Sequence, residues 1–387
     1  MREHPLFILA VLSGCIALSE LLVRRTPLRH LGTALLVIVV AAVVANAGLI
    51  PTYSPDVPIY DGIFGHVARV AIFWLLLLVD LRDVLRAGWA MLVLFFAGAI
   101  GTTLGVAISM RVVGGEEAFG ELHHALGGMF VGTYTGGSIN FQALALHYDV
   151  VKEAALYAGA NAVDAGMTTV WMAASIGIPR LVRPFWPRGR FGLAEEGEAE
   201  AAPAAGDEDR EAVAPADVGL LLLLGAGGVW LAGVGADWLA ERGAAVPSIL
   251  LLTTLALVIA QTPFARGLRG ARMLGMFGVY LFLAVIGVLC DVEALRSIGD
   301  LGGKLFAFVT LTILIHGAVT FGAAFLLRLP PDLAAVASQT NIGGGTSALA
   351  LARSLGRPDL VLPSILVGSL GTAIGTYLGF FTSRFLL

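Results

Sequence analysis

Runs of about twenty apolar residues, separated by short polar stretches, recur along the whole chain. Twelve stand out. In the first half they cover roughly 6–23, 31–50, 64–79, 88–110, 122–147 and 154–178. In the second half they cover roughly 218–236, 246–262, 273–290, 303–327, 333–352 and 359–381. A bilayer core about 30 Å thick takes about 20 residues of helix. A chain crossing it must satisfy its own backbone polar groups, which a helix does within one segment. The pattern therefore predicts an all-α integral membrane protein. Arg24 and Arg25 follow the first run, which lacks a small-x-small cleavage site, so it is read as a retained helix rather than a signal peptide.

The two halves resemble each other. LLLVDLRDVLRAG (76–88) matches VLCDVEALRSIG (288–299), bringing Asp80 level with Asp291. A long apolar segment follows in each half. After it comes a polar, Gly-rich stretch, GTYTGGSINFQALAL (132–146) in one and SQTNIGGGTSALALA (338–352) in the other. Each half closes on a small-residue helix, AGANAVDAG (158–166) and VGSLGTAIG (367–375). The division read from this is 1–179 for the first transmembrane repeat, 180–216 for a linker and 217–387 for the second repeat. The linker opens on Arg180, Arg183, Arg188 and Arg190 and continues as an Ala/Glu/Asp/Pro-rich tract, a composition with too little apolar surface for a core. It is expected to be flexible, solvated and cytoplasmic.

Orientation follows from where Lys and Arg fall. If all twelve segments cross, the basic residues show no side preference. If the fifth and eleventh dip in and return, most of the 24 basic residues gather on one side, among them Arg24, Arg82, Arg180, Arg266 and Arg353. Each repeat then has about five spanning helices plus one Gly-rich broken or re-entrant segment, and the repeats are inverted. That build is common among secondary transporters.

Composition agrees with a membrane setting. Of 387 residues, 57% are hydrophobic and 13% charged, with a mean hydropathy of +0.86; soluble domains carry about 25% charged residues. Net charge is −4. No basic stripe marks a nucleic-acid partner. Cys15 and Cys290 sit in apolar runs as inert thiols. HExxH, GxSxG and P-loop signatures are absent, so an enzyme is not expected and an ATP-driven pump is excluded for this chain alone.

The candidate chemistry lies in the Gly-rich stretches. Thr133, Thr135, Gly136, Gly137, Ser138, Asn140 and Gln142 crowd the first; Gln339, Thr340, Asn341, Gly343, Gly344, Gly345, Thr346 and Ser347 crowd the second. Glycine weakens a helix by about 1 kcal/mol per position relative to alanine. A break within the membrane frees backbone groups, which are tolerated only where protein or water meets them. Freed N–H groups suit an anion and freed carbonyls a cation. Small residues also serve tight helix packing, but polar side chains at both breaks favour a binding site. Asp164 is the one carboxylate deep in an apolar helix, about 15 Å and 21 Å from its ends at 1.5 Å per residue. Such a charge is functional by default, taking a proton or helping to bind sodium, and Asn161 lies one turn before it. His316, alone in mid-segment, reads as a packed neutral residue.

TGGSINFQALA and NIGGGTSALALARSLGRPDLVLPSILVGSLGTAIGTYLG carry a resemblance to the bacterial membrane family known as domain of unknown function 819, over nearly the whole chain outside 180–216. That family is grouped with cation:proton antiporters and anion transporters, beside bile-acid:sodium and glutamate:sodium symporters. The resemblance implies transport, with Gly136, Gly137, Ser138 and Asn140 matching one motif and Asn341, Gly343 and Gly344 the other. Among relatives, 2-hydroxycarboxylate and glutamate symporters use paired re-entrant loops. Bile-acid symporters and antiporters use broken helices that cross fully.

The expected function is secondary active transport of a small organic anion, coupled to sodium or protons, by alternating access in a bacterial inner membrane. A sodium ion is placed near Asp164 and Asn341, and no other cofactor is expected. A cation/proton exchanger, a passive channel and a membrane-embedded partner subunit are the alternatives. The partners are the lipid bilayer, a small solute or ion, and a second copy of the chain in a homodimer.

Overall fold

A computed structural model describes residues 3–26, 32–51, 57–82, 84–187, 212–244, 246–289 and 292–387. Asp291, Cys290 and 188–211 of the expected linker lie outside the described residues. The described chain is helical, and each of the twelve apolar runs yields a helix. They are α1 (Pro5–Arg25), α2 (Gly32–Asn46), α3 (Pro58–Leu76) and α4 (Trp89–Val112). The fifth run splits into α5 (His123–Gly136) and α6 (Ser138–His147), followed by α7 (Ala154–Val182). Beyond the linker come α8 (Pro215–Ala240), α9 (Ser248–Ala260), α10 (Ala271–Leu289) and α11 (Val292–Leu326). The last two are α12 (Pro331–Ser354) and α13 (Val361–Phe385). Seven helices among the described residues are long and apolar enough to cross a membrane, and α2 and α9 are shorter apolar helices.

The exposed surface of these helices is apolar. On α4, Val93, Phe96, Ile100, Leu104 and Ile108 form an exposed stripe, while Gly98, Thr102 and Ser109 are buried on the other face. Polar residues inside and large apolar residues outside invert the order of a soluble protein. This is an integral membrane protein in contact with lipid.

The chain forms two compact units, each drawing on both sequence halves. The first comprises Met1–Leu78, Ala145–Gly166 and Ala212–Phe306. The second comprises Val79–Leu144, Met167–Glu211 and Ala307–Leu387. Helices α6, α7 and α11 pass from one unit into the other.

In the first unit, α10 packs on α2 and α3 through glycines. Gly287 lies against the backbone of Ile38 and Ala42, and Gly278 against Ala71. Gly225 and Gly228 of α8 lie against Trp74 and Phe73 in the same way, and the Trp74 indole donates to the Leu221 carbonyl at 2.7 Å. Small residues let backbones approach where lipid supplies no hydrophobic drive to associate.

The second unit is built on α4, α5, α12 and α13. At one end the buried carboxylate of Asp332, in the first turn of α12, accepts from Arg183 at 2.9 Å and lies 3.8 Å from Arg357. The Trp186 indole donates to the Leu329 carbonyl at 2.8 Å. Residues 180–187, read as the start of the linker, are thus helical in part and anchored to this unit. An Asp332→Asn protein is expected to lose about 1 kcal/mol of stability, because the solvent-exposed Arg183 loses its charged partner while Arg357 keeps its pair with Asp359; a thermal denaturation midpoint in detergent checks this. In the loop before α4, Arg82 donates to Asp80 at 2.9 Å and holds that carboxyl below its usual range.

Candidate functional site

Both Gly-rich stretches are helical on either side of a short break, and both breaks lie in the second unit. At the first, Tyr134 leaves helical geometry (φ −86, ψ 18) and Gly137 is extended with positive φ (φ 91, ψ 175). At the second, Gly344 alone leaves it (φ 75, ψ 176). The two glycines share one conformation, in a region essentially closed to other residues. A Cβ at either would meet nothing within 4 Å, so the requirement is conformational. Gly137→Ala and Gly344→Ala are each expected to cost about 1–3 kcal/mol, read as a lowered denaturation midpoint.

The neighbouring glycines serve packing instead. A Cβ on Gly136 would strike the Gly371 backbone, and one on Gly345 would crowd Ser364 and Ile365. A Cβ on Gly368 would strike the Gly345 backbone, and one on Gly343 would strike Ser347 and Gln339. So α13 presents Gly371 to the first break and Gly368 to the second. These glycines are three residues apart, about 4.5 Å along the helix. The two breaks therefore meet one face of α13 within a single turn.

Hydroxyls cover the freed backbone. Thr102 Oγ donates to the Tyr134 carbonyl at 3.0 Å and Thr372 Oγ to the Gly136 carbonyl at 3.0 Å. Ser347 Oγ donates to the Gly344 carbonyl at 3.0 Å. The Gly137 amide donates to the Thr133 carbonyl at 2.7 Å. The Thr133, Tyr134, Gly136 and Gly344 carbonyls at the breaks, of the kind expected as cation ligands, thus already have partners.

Several side chains do not. Thr135, Asn140, Gln142, Gln339 and Asn341 are all buried. Asn140 Oδ1 accepts from the Thr376 amide at 3.0 Å and the Thr376 hydroxyl at 2.6 Å, leaving Nδ2 without a partner. Asn341 Nδ2 donates to the Phe95 carbonyl at 3.1 Å and the Ala337 carbonyl at 3.2 Å, leaving Oδ1. Gln339 Nε2 donates to Ser347 Oγ at 3.1 Å, leaving Oε1. Thr135 Oγ and Gln142 Oε1 also lack partners. Four oxygens and one amide NH2 group are therefore buried without partners, each forfeiting about 1–3 kcal/mol of hydration. Thr340 is satisfied by the Val336 carbonyl at 2.8 Å. Ser138 and Thr346 are exposed, beside the breaks.

Asn161 and Asp164 belong to the first unit. There Tyr157 is fully buried, and Asn161 and Asp164, one turn apart on the same face, are half-buried. Among the described residues no three His, Cys, Asp or Glu gather as a metal cluster.

Sequence reasoning missed the residues that hold the breaks: Gly368, Gly371, Thr372 and Thr376 on α13, and Phe95 and Thr102 on α4. The small residues of α13 at a spacing of three to four were the available signal.

Comparison with known proteins bears on the same residues. A family described as "Protein of unknown function (DUF819)" matches residues 7–387, both breaks and α13 included. The chain belongs to the DUF819 family. It is also similar to the "Uncharacterized membrane protein YjcL" of Bacillus subtilis (strain 168), with 29% identity over 363 residues, covering 90% of this chain and 88% of that one. A full-length match of this kind makes the membrane character a property shared with that relative.

Proposed function

We propose that this DUF819 protein is a secondary active transporter that binds sodium at the paired helix breaks. One observation carries the reading: buried side-chain oxygens of Thr135, Gln142, Gln339 and Asn341 lack partners at both breaks. Hydroxyl and amide oxygens suit a hard monovalent cation. The break residues include no carboxylate or histidine, so a proton would need another carrier, and Asp164 is the residue proposed for it. The co-transported solute is a small organic anion, received by neutral donors such as Asn140 Nδ2. The chain acts as a carrier in the bacterial inner membrane, without enzymatic chemistry, with 180–216 on the cytoplasmic side and a second copy in a homodimer. Two inverted repeats meeting at the breaks supply alternating access, and the matching conformations of Gly137 and Gly344 support that symmetry.

A second reading draws on the same oxygens. With four of the five unpartnered atoms being oxygens, a cation exchanger that moves sodium against a proton on Asp164 fits the site as a cation site alone.

Purified protein in proteoliposomes separates these. Symport predicts saturable uptake of an organic anion that needs an inward sodium gradient. Exchange predicts sodium flux driven by a pH gradient and no anion uptake. Conductance without a gradient identifies a channel, and no flux from the purified chain identifies a partner subunit; either result sinks the carrier reading.

A further inference from the structure

The second unit contains a buried histidine that the proposed chemistry does not use. His316, on α11, is fully buried. Its Nδ1 lies 2.9 Å from the Gly98 carbonyl and 2.9 Å from Thr102 Oγ. Its Nε2 lies 2.9 Å from Ser338 Oγ, which also accepts from the Trp171 indole at 2.9 Å. The directions of these bonds are fixed by the groups at the ends. The Gly98 carbonyl only accepts, so Nδ1 carries the proton. The Trp171 indole only donates, so Ser338 Oγ accepts from it and gives its own proton to Nε2. Thr102 Oγ spends its proton on the Tyr134 carbonyl at 3.0 Å, so it accepts from Nδ1, whose single proton is shared between Thr102 Oγ and the Gly98 carbonyl. One sense of hydrogen bonding thus runs Trp171, Ser338, His316, Thr102, Tyr134.

Both ends are closed to proton transfer. An indole N–H feeds one end, and backbone carbonyls terminate the other. A proton relay through His316 has no entry and no exit here.

The two ends also have structural meaning. Tyr134 is the residue that leaves helical geometry at the first break. Ser338 precedes Gln339 directly and Asn341 by one turn, on the arm of α12 that leads to the second break. Gly98 is in contact with both His316 and Asn341, since a Cβ there would meet His316 Cε1 and Asn341 Nδ2. We propose that His316 is a positioning residue, a neutral imidazole protonated at Nδ1 that ties the two helix breaks to each other through Thr102 and Ser338. It touches neither ion nor solute. Any effect on ion binding acts through the breaks and rests on the sodium reading above; the tie itself does not.

The test has three arms. Nitrogen-15 spectra of histidine-labelled protein, wild type minus His316→Asn, isolate one of seven histidines. A protonated Nδ1 with a bare Nε2 is expected; the opposite tautomer or an imidazolium overturns the proposal. Hydrogen exchange read by mass spectrometry follows peptides covering 133–142 and 338–347. His316→Ala is expected to speed both about tenfold, the loss of roughly one hydrogen bond at each end. Asn keeps a donor where Nδ1 stood, so His316→Asn speeds only the second. If the alanine variant does not fold, Thr102→Val speeds the first peptide and Ser338→Ala the second. Uniform acceleration along the chain, or none in either peptide, overturns the tie. Finally, sodium-dependent stabilisation is expected to weaken in Ser338→Ala. An undiminished response there overturns the positioning role, whereas no response in wild type removes the sodium reading and leaves the first two arms to decide the tie.

Discussion

A Gly371→Val protein is expected to lose about 3 kcal/mol of stability and to reach the membrane in a small fraction of the wild-type amount. A Cβ at Gly371 would collide with the Thr135 carbonyl and the Gly136 backbone. These are main-chain atoms on both sides, so no rotamer change relieves the clash. α13 would have to move away from α5, and the bonds from Thr372 to Gly136 and from Thr376 to Asn140 would lengthen with it. The matched control is Gly233→Ala on α8, where nothing lies within 4 Å of the added Cβ and alanine gains helix propensity of about 1 kcal/mol. Detergent-solubilised yield and denaturation midpoint together separate the two. Equal stability of Gly371→Val and wild type would mean that α13 does not hold the first break.

How far the sequence revealed this arrangement depends on which physical signal each residue carries. Apolar runs of membrane length are a strong local signal, and all twelve appear as helices, α1 to α13, although α3 begins at Pro58 rather than near 64 and α11 at Val292 rather than near 303. The breaks were legible because Gly-rich polar stretches are rare in apolar helices. Which glycine would adopt positive φ was not legible. Gly343, Gly344 and Gly345 are chemically identical, and only the surroundings make Gly344 the bent one: Gly345 is held against α13 and Gly343 against Ser347. The partners of the breaks were hidden for the same reason. Thr102, Thr372 and Thr376 are ordinary helix residues until tertiary packing brings them to a freed carbonyl or an amide. His316 was read as a packed neutral residue, and its hydrogen bonds agree; its link to both breaks needed the coordinates of α4 and α12. Asp164 stood out as a lone carboxylate, but membership of a different compact unit from the breaks is a property of three-dimensional packing that no spacing along α7 encodes.

The second large effect is expected at Asn341. Wild-type protein in sodium at about 100 times its dissociation constant should gain about 2.7 kcal/mol over sodium-free protein. Asn341→Ala should lose most of that gain. Oδ1 is the oxygen left over once Nδ2 has donated to Phe95 and Ala337, so the substitution deletes a proposed ligand together with the amide that aims it. Its basal cost should be smaller, about 1–2 kcal/mol, since the two Nδ2 hydrogen bonds disappear along with a buried oxygen that had no partner. Thermal denaturation in sodium and in an equal concentration of choline measures both numbers. A basal loss with an unchanged sodium gain would make Asn341 a structural residue and shift the site to Thr135, Gln142 and Gln339.

The central claim is that unpartnered oxygens at the two helix breaks hold a sodium ion. Binding of radioactive sodium to purified wild-type and Asn341→Ala protein in detergent tests it most directly. The account predicts saturable binding by wild type that Asn341→Ala largely loses. No saturable binding by wild type, or equal binding by both proteins, would contradict it.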